Sequence, residues 1–157
     1  MRRVKVIWDK PTDIESAFSL NDEEDDYGLY QIYGHHIVFG AGSLLYIGIA
    51  IEQTFGDRFR QHHDEWIKDE EKDVFIHVGR LNKDDYKHDP HDEWTDWSQL
   101  VKDTEALLIN WHTPPYNSQN ISNYTGQPLN VQNSGDRGSL LLACPSEWNR
   151  PKHPKET

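Results

Sequence analysis

Hydrophobic and polar positions change period several times along the chain, and each change predicts an element. Val4-Lys5-Val6-Ile7-Trp8 is rich in β-branched residues and reads as a strand. From Thr12 to Leu20 the spacing puts Ile14 and Phe18 on one face of a short helix capped by Thr12. Tyr27 to Tyr33, His36 to Phe39 and Leu44 to Ile49 read as three strands of a β-meander. Gly34-His35 and Gly40-Ala41-Gly42-Ser43 supply its turns. Thr54 opens a helix with Asp57 three residues on as capping-box partner. Phe55, Phe59 and Trp66 lie along one of its faces; Arg58 and His62, four apart, point together from a neighbouring one. Val74 to Val78, within 73–81, reads as a buried strand. Lys83 to His91 is a polar loop, and Asp89-Pro90 suits the start of the next helix. Trp97, Leu100, Val101, Thr104, Leu108 and Trp111 recur at helical spacing until Pro114-Pro115 ends the element. Beyond Asn117 the chain is rich in Asn, Gly, Ser and Pro, with one apolar run, Leu140 to Cys144, that suits an edge strand.

The pattern predicts an α/β (α+β) domain: a small, mainly antiparallel central β-sheet flanked by helices. Residues 1–26 form an N-terminal strand, short helix and acidic linker, 27–117 the core, and 118–157 an extended C-terminal arm. The 157 residues suit one compact domain with a short appendage. No apolar stretch approaches a membrane span, and the first residues lack the apolar region of a secretory signal. The single Cys144 excludes an internal disulfide framework and a cysteine zinc cluster, and predicts a reducing, cytoplasmic compartment.

The net charge of −11 argues against a protein that coats nucleic acid without selectivity. The acid is segregated into 21–26 and 64–73, however, while Arg58 and Arg60 share one helix, which leaves room for a local cationic cleft. The chain has no phosphate-binding glycine loop, no dinucleotide fingerprint and no serine nucleophile elbow, so a nucleotide cofactor is not expected.

Taken singly, Gly28-Leu29-Tyr30 and Tyr46-Ile47-Gly48 are ordinary strand tripeptides. Their order and company carry more. GLYQIY is followed by LLYIG, then by FGDRFRQH with Arg58 and His62, then by EALLINWHTPPYN with Glu105 and Asn117 twelve apart. From Gly28 to about Asn117 the chain resembles the GIY-YIG nuclease superfamily. Leu29 stands where the family has Ile, and the Tyr30-to-Tyr46 interval predicts an enlarged hairpin.

The resemblance implies a DNA endonuclease that depends on Mg²⁺ or Mn²⁺ and leaves 3′-hydroxyl and 5′-phosphate ends. Glu105 looks like the metal ligand and Arg58 like the transition-state clamp. Tyr30 looks like the general base, with Tyr46 binding the phosphate or the attacking water. His62 would tune the tyrosine pair or relay the proton, and Asn117 would hydrogen-bond within the site or brace the turn after Pro115. The implied partners are DNA and a second copy of the chain as homodimer, with no membrane.

Elementary chemistry agrees with the residue types. Phosphodiester hydrolysis needs an activated water and charge stabilisation at phosphorus. Arg58 offers a planar, permanent donor set that matches a phosphate. A carboxylate can hold Mg²⁺ that keeps several waters. Glu105 lies roughly 100° from the centre of its helix's apolar stripe, an edge position that suits a carboxylate reaching into a cleft beside the core. A phenol with an ordinary pKa near ~10 needs nearby cations before it can act as a base. Two other readings stay open. One is a catalytically weak nucleic-acid or protein binding module that keeps the nuclease fold. The other is a metal-binding interaction protein using His88 to Glu93, a segment that reads more simply as an exposed loop and helix cap. Gly48 is expected to let its strand approach a neighbouring backbone closely.

Overall fold

A computed structural model of the chain describes residues 1–69, 73–87 and 93–147, the side chains of 69 and 93–95 excepted. In order the elements are β1 (Arg2–Trp8), β2 (Thr12–Asp13), α1 (Ile14–Ala17), β3 (Gly28–His36), β4 (Gly40–Ala50), α2 (Phe55–Glu65), β5 (Phe75–Leu81), α3 (Glu93–His112), β6 (Leu129–Gly135) and β7 (Ala143–Pro145). The sheet runs β4-β3-β5-β1-β6-β7, with β2 paired to β5. Every pairing is antiparallel except β1 with β6. The mixed, mainly antiparallel sheet flanked by helices is the class that the periodicity predicted.

Successive strand residues point to opposite faces, and here each face has its own core. Tyr30, Ile32, Ile76 and Val78 pack with Phe55 and Phe59 of α2 and with Ile14 and Ala17 of α1. Leu29, Ile47, Val4, Val6 and Trp8 pack with Leu100, Val101, Leu107 and Leu108 of α3. The two longer helices therefore cover opposite sides of the sheet. Helix α3 ends at His112, and Thr113, with a φ of 43°, turns the chain before Pro114.

Several expectations change. The first helix is one turn long, and its cap is Asp13, which accepts from Ser16 N, not Thr12. The meander is a two-stranded hairpin. Ile37, Val38 and Phe39 form its exposed tip, and His36 Nδ1 accepts from the backbone N–H groups of Val38 and Phe39. Residues 129–145 are not an extended arm. β6 lies inside the sheet beside β1, and the edge strand is Ala143–Pro145. β6 is held there by Asn133, whose Oδ1 accepts from Trp8 Nε1 at 2.9 Å while its Nδ2 donates to Leu141 O at 2.8 Å. The acidic run is only partly solvated. Asp26 is buried and pairs with Arg80 at 2.9 Å, and Arg80 also pairs with Asp9 at 2.8 Å. His88 to Asp92, which include the Asp89-Pro90 helix start, lie outside the described residues. Among the described residues no helix is long and apolar enough to cross a membrane.

Candidate active site

Tyr30 and Gly48 face each other across the β3–β4 pair. A side chain at Gly48 would meet the Tyr30 phenol at 2.4 Å and the Tyr46 ring at 2.7 Å. Gly48 is thus required by a phenol lying over its Cα, not by the close backbone approach expected of it. The space it leaves lets Tyr30 and Tyr46 set their rings 6.1 Å apart on the α2 side of the sheet.

Helix α2 brings its residues to the same place. Thr54 caps it by accepting from Asp57 N, and Phe55 and Phe59 anchor it to the sheet. The Tyr30 ring meets Phe59 edge-on at 5.0 Å. His62, one turn on, is buried, with its Nε2 2.5 Å from the Tyr30 hydroxyl. The indole Nε1 of Trp66 donates to His62 Nδ1 at 3.1 Å. An indole nitrogen can only donate, so Nδ1 carries the lone pair and a neutral ring carries its proton on Nε2. His62 therefore donates to the Tyr30 oxygen. Burial, helped by the charge of Arg58, lowers its pKa to about 4, which keeps the ring neutral.

Arg58 faces both phenols. Its guanidinium lowers the pKa of each, and its Nη1 donates to Gln61 Oε1 at 2.9 Å. The cation does not prevail. Burial, with a smaller push from Tyr46, raises the Tyr30 pKa far above its ordinary value, and burial also raises that of Tyr46. The lowering needed for a resting phenolate is absent, because desolvating an anion costs more here than Arg58 returns. Tyr30 is a phenol at rest.

Glu105 approaches from the other helix, on the flank of α3, whose most extensive strand contacts are with β4. Its carboxylate feels Arg58 and raises the pKa of both tyrosines, so it belongs to the same electrostatic group. Burial lifts its own pKa to about 7, and Arg58 offsets only part of that. Among the described residues Glu105 forms no ion pair, and no group of three or more His, Cys, Asp and Glu is placed to hold a metal. A hard cation that keeps water ligands needs fewer protein donors. One desolvated, unpaired carboxylate fits that requirement.

Asn117 acts one step back. Its Oδ1 accepts from Ile47 N at 3.0 Å and its Nδ2 donates to Ile47 O at 2.9 Å. The amide closes the outer edge of β4 next to Tyr46, so Asn117 positions the strand and leaves the reacting groups to others. The fold thus gathers Tyr30, Tyr46, Arg58, His62 and Glu105, and braces them with Asn117. Sequence reasoning missed the role of Trp66, although its spacing of four from His62 puts both on one face. It also missed Lys102, one turn before Glu105, which lines a cavity of about 320 Å³ together with Arg58. Arg2, at the start of β1, is committed to Asp96 at 3.0 Å. No family model, curated protein or solved structure matches the chain.

Proposed function

We propose that this protein is a divalent-metal-dependent DNA endonuclease that hydrolyses phosphodiester bonds to 3′-hydroxyl and 5′-phosphate ends. One observation carries the reading: β3, β4, α2 and α3 each send a polar side chain to one electrostatically coupled group, built from two phenols, a guanidinium, a neutral imidazole and an unpaired carboxylate. Keeping these groups desolvated lowers stability, and packing alone gives no reason for placing them together.

In this reading Arg58 and Lys102 hold the phosphodiester, and Arg58 stabilises the charge that develops on it. Tyr46, the less enclosed phenol, orients the attacking water. Tyr30 gives up its phenolic proton to solvent, a state that builds up at alkaline pH, and then takes the water's proton; the His62 Nε2–H donated to its oxygen favours the ionised state. Glu105 holds Mg²⁺ or Mn²⁺, which when bound supplies charge neutralisation at the phosphate. Asn117 keeps β4, and so Tyr46, in place. Each site cuts one strand, so a double-strand break needs two copies acting together.

The test is cleavage of supercoiled plasmid with Mg²⁺ or Mn²⁺ by the wild type and by Glu105→Ala, with folding followed by circular dichroism. Cutting that is lost in a folded variant, with 5′-phosphate ends, supports the reading. A folded wild type that binds plasmid, branched and single-stranded DNA without cutting any of them overturns it in favour of a binding module. Equal cutting by both proteins removes Glu105 from the site.

A further inference from the structure

A second cavity, of about 980 Å³, adjoins the one that holds Arg58 and Lys102 and shares Ile51 and Glu52 with it. Its size falls at the top of the roughly 300–1,000 Å³ range of small-molecule sites. Together the two form a cleft with unlike ends. At one end the lining charges are Arg58 and Lys102. The other is lined by the rings of Tyr27, Tyr86 and Trp97, with Tyr27 and Trp97 edge to face at 6.5 Å. Between them stands Glu52, exposed and without an ion pair among the described residues. The same cavity is also lined by Asp9, Glu23, Glu24 and Asp25 and by the cations Arg80 and Lys83, with Arg80 ion-paired to Asp9 and Asp25.

This polarity matches a single nucleotide. A phosphate suits the cationic end. Aromatic rings stack on any base, each contact being worth roughly 1–3 kcal/mol in single-strand sites. Acidic residues still outnumber Arg80 and Lys83 in this lining, and that balance disfavours a second phosphate and makes the larger cavity a poor track for the DNA backbone. What enters beyond Glu52 is uncharged and flat. A carboxylate only accepts hydrogen bonds, so Glu52 selects a base with an amino group on its pairing edge. Cytosine, adenine and guanine have one. Thymine offers two carbonyl oxygens around a single N–H, and the carboxylate repels those oxygens.

We propose that the larger cavity receives a DNA base turned out of the stack next to the phosphate bound at Arg58, and that Glu52 makes it prefer amino-bearing bases over thymine. The proposal rests on the nuclease reading for the identity of the strand. It is tested without cutting.

The experiment is an NMR titration of the metal-free protein with dCMP and with dTMP. The expected result is movement of the Tyr27, Ile51 and Trp97 resonances, with dCMP binding about tenfold more tightly than dTMP, the size of one good carboxylate–amino discrimination. Glu52→Gln, an exposed and isosteric change, offers an N–H donor to the thymine oxygens as well as an acceptor, and is expected to close that gap. Arg58→Ala is expected to weaken both nucleotides alike. Equal affinities in the wild type, a gap that survives in Glu52→Gln, or resonance shifts confined to other parts of the protein would overturn the proposal. Plasmid cleavage is read separately. Cutting without selective nucleotide shifts removes the base pocket and leaves the nuclease; selective shifts without cutting do the reverse.

Discussion

Glu105→Gln should make the protein more stable at alkaline pH. The carboxylate has a pKa of about 7 in the folded chain against an ordinary 4.5, and burial is the main cause. At ~1.4 kcal/mol for each tenfold change in proton affinity, holding it ionised costs the folded state about 3 kcal/mol. The sign follows from the direction. A carboxyl whose folded pKa is raised binds its proton more tightly in the folded state, so stability falls as pH climbs from the unfolded value through the folded one. Below about pH 4 both states are protonated and the cost vanishes. Above about pH 8 it is fully present. Gln has the same shape and no charge, so it avoids the cost at every pH.

Urea unfolding of both proteins at pH 5 and pH 8 measures this directly. The variant should gain roughly 2–3 kcal/mol on the wild type between those two values. Mg²⁺ should recover part of the deficit at pH 8 in the wild type and none in Glu105→Gln, because a ligand that binds only the folded state stabilises it by mass action. A stability difference that does not change with pH would refute the reasoning. It would mean that Glu105 is solvated and not held at an energetic cost for a ligand.

Three further outcomes follow from the geometry. Gly48→Ala drives a methyl group into the Tyr30 phenol, so it should destabilise by roughly 1–3 kcal/mol and abolish cleavage; retained activity with an unchanged melting temperature would show that the phenol does not lie over that position. Asn117→Ala strands both backbone polar groups of Ile47 and should cost roughly 2–3 kcal/mol in urea unfolding, with Glu105-dependent Mg²⁺ binding retained. At saturating metal the cleavage rate should keep rising through pH 9, because the phenol that must ionise has a raised pKa, and no limb should appear near pH 6.5, because His62 stays neutral down to about pH 4; a plateau starting near pH 7 would take the role of base away from Tyr30.

The parts of the fold legible in the sequence are those that local patterns determine. Thr54, Phe55 and Phe59 announce α2 by cap and spacing, and the fixed pitch of a helix then places Arg58 beside His62. The β3–β4 hairpin is legible for the same reason, apart from its tip, where Ile37-Val38-Phe39 imitates a strand while His36 holds it as a turn. β6 was hidden because β1, the strand it runs along for its whole length, lies more than a hundred residues away, and its nearer partner β7 is only three residues long. Leu129-Asn130-Val131-Gln132-Asn133 alternates buried and partly buried positions, but the third inward residue is Asn133, which pattern reasoning assigns to a loop. Trp8 and Leu141 O make that polar residue acceptable in the interior, and neither can be read from its neighbours in sequence.

The site divides along the same line. The resemblance nominated Tyr30, Tyr46, Arg58, His62 and Glu105 from the order and spacing of their motifs, which the sequence carries in plain view. Ionisation states depend on what the whole fold excludes from the site. One cation beside two phenols predicts lowered pKa values if water remains. The structure removes the water, and the same Arg58 then fails to hold either tyrosine down. The enclosure that raises Tyr30 also raises Glu105 and neutralises His62. The resting site thus carries less charge than its residues imply. In such a site an arriving cation and phosphate would meet groups that are positioned but not yet ionised, and part of the binding energy of the ions would be spent on ionising them.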